Sequence, residues 1–362
     1  MGATPALTIR SLRARPVDVP LPRPHPTAGG VVSSAPLVLV DLLTEEGVVG
    51  TSYVFCYTPI ALKPVSQLIT NLESALVGAP LVPFDIERTL QARFRLLGPQ
   101  GLTGIALAAI DMAAWDALAR SQGLPLVRLL GGAPRPIPAY HSLGMAGVEA
   151  AAQEAEESVA AGFRAVKYKI GYPEVATEVA LVRAAKRTGD TLAVMVDYNQ
   201  SLSVPEAVRR GQILDDEDLA WIEEPVTADD FVGHAQVARE VRTPIQLGEN
   251  WWGPHDMAKS LAAGAGDYAM LDVMKIGGVS GWLRAAALAE PGGIRISSHL
   301  FPEISVHLMA VTPTAHWLEW LDLASPILQE PLVVVDGQAV APERPGVGIS
   351  WNEDAVQRFL VT

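Results

Sequence analysis

The chain predicts an α/β fold: a modified (β/α)8-type, TIM-like barrel carrying an α+β capping domain formed by the N-terminal region and the C-terminal tail. Three observations lead there. From Ile137 onward, eight short apolar segments alternate with helical patterns. Polar residues recur at or just after these segments: Lys169, Asp197, Glu223, Glu249, Asp272, His299 and Glu319 are 28, 26, 26, 23, 27 and 20 residues apart. That is roughly the length of a strand plus a returning helix. The flanking regions, 1–132 and 323–362, lack the period and read as a separate unit.

Residues 3–19 and 36–55 read as β-rich, the second with a turn at Glu45-Glu46-Gly47. Between them the segment 20–34, dense in Pro, Gly and Ser, reads as an exposed mobile loop. Residues 60–132 read as helices, the clearest being GLTGIALAAIDMAAWDALARSQG. The barrel strands are expected in IPAYHSL, FRAVKYKI, LAVMVDYN, LAWIEEP, TPIQLGEN, YAMLDVMKI, GIRISSHL and AHWLEW, so that the barrel domain spans 133–322. In the tail, LVVVDGQAV predicts a hairpin turning at Asp336-Gly337, on a segment returning to the capping domain.

Composition limits the function classes. An apolar share of 49% with no long uncharged hydrophobic run predicts a soluble globular chain without a membrane-spanning helix. The start lacks the apolar core of a signal peptide and Cys56 is the single cysteine, so a reducing, cytoplasmic setting is expected. A net charge of −13 argues against nucleic acid or an anionic membrane as partner.

Strand ends of a barrel meet at one mouth, so the recurring polar residues should converge. Asp197, Glu223 and Glu249 would then repel one another unless a cation lay among them, and their hard oxygens suit Mg²⁺. Glu224 follows Glu223 directly and is expected on the opposite face of the strand. Lys167 and Lys169 are two apart on one strand and share a face. Their mutual repulsion should lower the pKa of at least one into the range of a base. His299 and Asp272 end neighbouring strands, where the carboxylate would orient the imidazole as a second base. Glu319, crowded by other anions, is expected to stay protonated and donate a hydrogen bond to a substrate carboxylate.

These residues, in this order, resemble the mandelate racemase subgroup of the enolase superfamily. The resemblance runs over nearly the whole chain: VPL at 19–21, APLVLVDL at 35–42, GFRAVKYKIGYP at 162–173, VDYNQSL at 196–202, WIEEP at 221–225, GENW at 248–251, DVMKIGGVSGW at 272–282, SSHLFPEIS at 297–305 and PTAHWLEWLDL at 313–323. It implies that Asp197, Glu223 and Glu249 bind Mg²⁺, with Mn²⁺ able to substitute. Lys169 would take the α-proton from one enantiomer of a 2-hydroxy carboxylate and His299, oriented by Asp272, from the other. Lys167 and Glu319 would hold the substrate carboxylate as it becomes an enediolate. Ser142, Asn199 and Lys275 match polar positions around the substrate. His25, Thr27, Val32, Phe55 and Tyr57 match the segments that close over its distal group, with His25 standing where the subgroup is apolar. The resemblance also implies a homo-oligomer, commonly an octamer. Alternatives stay open at this point: an acid-sugar dehydratase, a cycloisomerase or epimerase using Lys275 as a base, and a silent metal and carboxylate binder.

Overall fold

A computed structural model describes residues 7–27, 30–189 and 191–361. The N-terminal part is a three-stranded antiparallel sheet, β1 (Ile9–Thr27), β2 (Gly30–Thr44) and β3 (Val49–Phe55), with β2 central. The expected turn at 45–47 lies between β2 and β3. Helices α1 (Leu62–Leu72), α2 (Pro83–Arg93), α3 (Gly101–Ser121) and the short α4 (Leu126–Leu129) follow. Helix α3 is apolar nearly all round because it is covered on several sides: by the sheet, by α1 and α2, and by the barrel. It is the one described helix long and apolar enough to cross a membrane, and it is mostly buried in the protein's own core. The close approach of β3 to α3 requires Gly50, where a Cβ would sit 2.1 Å from the Ala113 carbonyl oxygen.

The loop expected over 20–34 is a correction. β1 and β2 continue through it as an arm, with His25 opposite Val32 and Thr27 opposite Gly30, after a register shift between Pro20 and His25. Pro20, Pro22, Pro24 and Pro26 alternate along this stretch, and each fixes its own φ while pushing its neighbour into extended backbone. The same prolines that read as loop punctuation therefore straighten a strand. Residues 28 and 29 of that segment, and 3–6 of the first β-rich segment, lie outside the described residues.

Eight parallel strands form the barrel: β4 (Ile137–Leu143), β5 (Ala165–Lys169), β6 (Ala193–Asp197), β7 (Ile222–Glu223), β8 (Ile245–Leu247), β9 (Tyr268–Asp272), β10 (Arg295–His299) and β11 (Leu318–Trp320). Between them run α5 (Val148–Ala160), α6 (Val175–Lys186), α7 (Val204–Leu214), α8 (Phe231–Glu240), α9 (Pro254–Ala263), α10 (Gly278–Ala289) and α11 (Pro302–Val311). β11 pairs with β4, and the seam to β10 carries the bonds Ser298 N to Trp317 O and His316 N to Ile296 O. Tyr140, Ala165, Met195, Trp221 and Met270 fill the interior below the mouth, so the barrel is a packed core rather than a pore.

The tail refines the expected hairpin. Asp336 and Gly337 both have positive φ and make the turn, but β12 (Gln338–Ala339) pairs antiparallel with the start of β4 and seals the bottom of the barrel. Only then does the chain return to the N-terminal sheet: Val361 N bonds Pro16 O, and the indole of Trp351 donates to Asp41. The last helix, α12 (Glu353–Phe359), packs on β1.

Asp116 on α3 ties three parts together. Fully buried, it accepts from the Thr51 N–H at 2.7 Å, the Val347 N–H at 2.6 Å and Arg120 at 2.5 Å. Asp116→Ala strands these donors and is expected to destabilise the fold by about 3–5 kcal/mol. Urea unfolding, with proteolysis of the loosened tail beyond residue 346, checks this; an unchanged midpoint would contradict it.

Candidate active site

Alternation along each strand decides which side chains enter the barrel. On β5, Lys167 and Lys169 point in, while Tyr168 points out and donates its hydroxyl to the Ala151 carbonyl on α5. On β4, Ser142 is buried and stands in register with Lys167. Asp197, Glu223, Asp272 and His299 are each the last residue of a strand, and Glu319 lies within the last. Glu249 comes two residues beyond β8, after Gly248 at a φ of 128°.

Asp197, Glu223 and Glu249 bring carboxylate oxygens within 4.8 Å of one another, all three residues being buried. Lys167 Nζ lies 2.6 Å from Glu223, 2.9 Å from Glu319 and 3.9 Å from Asp197. Lys169 Nζ lies 3.0 Å from Asp197 and 2.7 Å from Asn199 Oδ1, and the Asn199 amide donates in turn to Asp197. Across the mouth, His299 Nδ1 is 2.7 Å from Asp272, and Nε2 is 3.2 Å from Glu249. Asp272 is itself fixed by the Met274 and Lys275 N–H groups.

Two electrostatic expectations and one geometric one need correction. Burial disfavours charge on both lysines, yet Glu223 and Glu319 beside Lys167, and Asp197 beside Lys169, outweigh it and raise both pKa values. Each lysine has a carboxylate partner closer than its fellow lysine's repulsion can offset. Glu319 is likewise held below the usual carboxylate range: burial opposes its charge, but Lys167, His299 and the Leu300 N–H at 2.9 Å favour it more. It is an ionised acceptor, not a protonated donor. Glu224, expected on the far face, has a φ of 33°, so the strand has already turned. Its carboxylate accepts from Asn250 at 2.6 Å within the rim.

His299 is raised to about 9: burial works against its charge, but Glu249, Glu319 and Asp272 overcome that. Glu223 is pushed up to about 8, mainly by burial and by the charges of Asp197 and Glu249 that Lys167 only partly offsets. Three buried hard-oxygen donors, one of which burial and two neighbouring carboxylates push towards its neutral form despite Lys167, fit a divalent cation.

Several contributors escaped the sequence reading. Glu223 accepts from the Trp221 indole at 3.0 Å and the Gln246 amide at 3.3 Å, and Ser297 donates to Gln246. The only signal for Gln246 was a polar residue inside an otherwise apolar strand. Asn250 was also missed: it accepts at Oδ1 from Lys275 at 2.5 Å, and Lys275, one of the expected residues, lies 4.6 Å over the ring of Tyr57, which packs on Phe55, both also expected. That linkage joins the barrel rim to the loop after β3.

The chain is similar to known proteins over nearly its whole length. Residues 10–131 match the mandelate racemase/muconate lactonizing enzyme N-terminal domain, and 150–355 match the enolase C-terminal domain-like family. A 3,6-anhydro-alpha-L-galactonate cycloisomerase from Streptomyces coelicolor is 30% identical over 98% of this chain and 99% of its own. An L-talarate/galactarate dehydratase from Salmonella typhimurium is 32% identical over 72% of this chain and 66% of its own. The crystal structure of an enolase from Bradyrhizobium, complexed with magnesium and mandelic acid, superposes with a TM-score of 0.97 at 47% identity, covering 99% of this chain and all of that one. With both family domains in sequence, and a carboxylate triad at the mouth of the barrel, the chain belongs to the enolase superfamily.

Proposed function

We propose that the protein removes the α-proton of a 2-hydroxy carboxylate and returns a proton to the opposite face, a two-base 1,1-proton transfer of the mandelate racemase kind. One observation carries this reading: Lys169 and His299 approach the carboxylate triad from different sides, through Asp197 at 3.0 Å and Glu249 at 3.2 Å. Their strands, β5 and β10, are separated around the barrel by β4 and β11 on the shorter way. A substrate carbon between them would present one face to each base.

Asp197, Glu223 and Glu249 would hold Mg²⁺, which supplies positive charge for the oxygens of the substrate carboxylate as negative charge gathers there. Lys169, were Asp197 engaged as a ligand, would lose the counter-charge that keeps it protonated and could serve as a base. When Lys169 takes the proton, the C–H electron pair moves into the carboxylate to form an enediolate. The imidazolium of His299 then delivers its proton to C2 from the other side, and the configuration inverts. In the reverse direction neutral His299, aligned by Asp272, is the base and the Lys169 ammonium the acid. Lys167 is placed to neutralise the developing dianion. Glu319, ionised here, would hold Lys167 in place and accept a proton when substrate charge arrives. Lys275 is tied to Asn250 and Tyr57, which speaks for His299 as the opposing base.

The dehydratase relative favours a second reading on the same residues. A substrate with a 3-hydroxyl would lose it as water from the enediolate, His299 protonating the departing oxygen, to leave a 2-keto acid after tautomerisation. Incubation with 2-hydroxy acids in D₂O separates the readings. Racemisation gives deuterium at C2 of recovered acid, dehydration gives 2-keto product, and no exchange with any acid tested would leave only a silent binder.

His299→Asn is expected to abolish exchange from one enantiomer and retain Lys169-dependent exchange from the other; equal loss from both, with metal still bound, would overturn the assignment of faces. Magnesium affinity should rise with pH. Glu223 must give up its proton to act as a ligand, so binding releases that proton below about pH 8, and the contribution of Glu223 to the release falls away above it. Calorimetry in buffers of different ionisation enthalpy measures that release, and a pH-independent affinity between 6 and 8 would refute it.

A further inference from the structure

The chain leaves His299, the last residue of β10, through strained backbone. Leu300 and Phe301 both have positive φ, 51° and 48°. Side chains with a Cβ rarely adopt that conformation, and the surroundings must hold it. The only other adjacent pair of non-glycine residues of this kind among the described residues is Asn199 and Gln200, where the short amide of asparagine suits the left-handed region. Leu300 and Phe301 have no such polar group. From within the barrel the pair is held by Leu300 N donating to Glu319 at 2.9 Å, by the Ser305 hydroxyl donating to Leu300 O at 3.1 Å and by Ser305 N donating to Phe301 O at 2.8 Å. One fastening comes from the N-terminal sheet. Tyr53 on β3 sets its ring 5.2 Å from that of Phe301 and donates its hydroxyl to Glu303, in the first turn of α11, at 2.6 Å. Both side chains are buried, and among the described residues Tyr53 is the one side chain bonded to that carboxylate.

We propose that Tyr53 is a positioning residue for His299: by fastening Phe301 and Glu303 it holds the strained turn after β10 and so aims the imidazole at the substrate carbon. The proposal rests on the reading of His299 as one of two bases. Asp272, at 2.7 Å, fixes Nδ1 of the ring. A single bond leaves the ring able to swing about that atom, so the direction of Nε2 follows the backbone of His299. Without the Tyr53 hydroxyl, Glu303 is a buried carboxyl that has lost its side-chain partner, and the turn is free to relax towards ordinary φ. A displacement of about 1 Å at a base is enough to cost on the order of 100-fold in rate. Lys169 would be spared, because its side-chain bonds run to Asp197 and Asn199, neither of which belongs to that turn. The N-terminal sheet would thus act on one face of the substrate and not on the other.

The test compares wild type with Tyr53→Phe, which keeps the ring and removes the hydroxyl, in the Mg²⁺-loaded protein. α-Proton exchange in D₂O is followed from each enantiomer of mandelate, and the ring resonances of ¹³C-labelled histidine are recorded by NMR, His299 being assigned by its loss in His299→Asn. In Tyr53→Phe, exchange from the enantiomer served by His299 should fall by about 10–100-fold in kcat with little change in KM, while exchange through Lys169 holds. The His299 resonance should move and the other histidines should not. Glu303→Gln retains an acceptor for the hydroxyl and should stay close to wild type; should Tyr53→Phe fail to fold, Glu303→Leu reads the same contact from its other side. Equal loss from both enantiomers with a lower melting temperature and an unmoved His299 resonance would overturn the proposal and make Tyr53 a structural residue. So would wild-type exchange and an unmoved resonance in Tyr53→Phe. A moved His299 resonance in a protein whose wild type exchanges neither enantiomer, nor any other 2-hydroxy acid, would refute the reaction and leave the positioning role standing; two-sided exchange in wild type that Tyr53→Phe leaves intact would do the reverse.

Discussion

Everything at the mouth of this barrel follows from balancing buried charge. Asp197, Glu223, Glu249, Asp272 and Glu319 are carboxylates within a space that water scarcely reaches, opposed by Lys167, Lys169 and His299. In such surroundings an unpaired charge costs several kcal/mol, so each group must find a partner or give up its charge. This site does both. The lysines and His299 hold their protons against burial because carboxylates lie within about hydrogen-bond distance, and Glu223 has its pKa raised by burial and by Asp197 and Glu249, which Lys167 only partly offsets.

That balance bears on the proposed chemistry. Partners that lock the bases in the resting state are the same carboxylates that a divalent cation would claim. Engagement of Asp197 would free Lys169, and engagement of Glu249 would free His299 Nε2, leaving Asp272 to orient the ring. In the proposed reaction, metal occupancy and base competence would thus be coupled through two short contacts, Lys169 with Asp197 and His299 with Glu249. Below this layer, Trp221, Gln246 and Ser297 leave Glu223 little freedom to turn, so the ligand set is supported from within the barrel.

The capping elements matter for a different reason. The barrel brings the acid–base groups together, but its mouth is open until the β1–β2 arm and the loop after β3 cover it. Proline alternation stiffens the arm, Gly144 lets it come close, and Lys275 reaches up to the Tyr57 ring. The described parts of the molecule that differ in kind from the catalytic floor are the ones that would meet the far end of a substrate.

The barrel and its order of polar residues were legible in the sequence because both are periodic. A strand and a returning helix take a nearly constant length, and alternation on a strand puts every second side chain inward, so Lys167 with Lys169, and Asp197 with Glu223, could be placed on one face without coordinates. Protonation was not legible, because it depends on distances between residues far apart in the chain: Glu319 is ionised on account of Lys167 at 2.9 Å, a separation no local pattern encodes. Glu224 defeated the alternation rule because its backbone had already left the strand. The proline-rich segment defeated composition, since the same residues that break a helix or a central strand extend an arm whose partner strand and docking surface exist only once the barrel has folded beneath it.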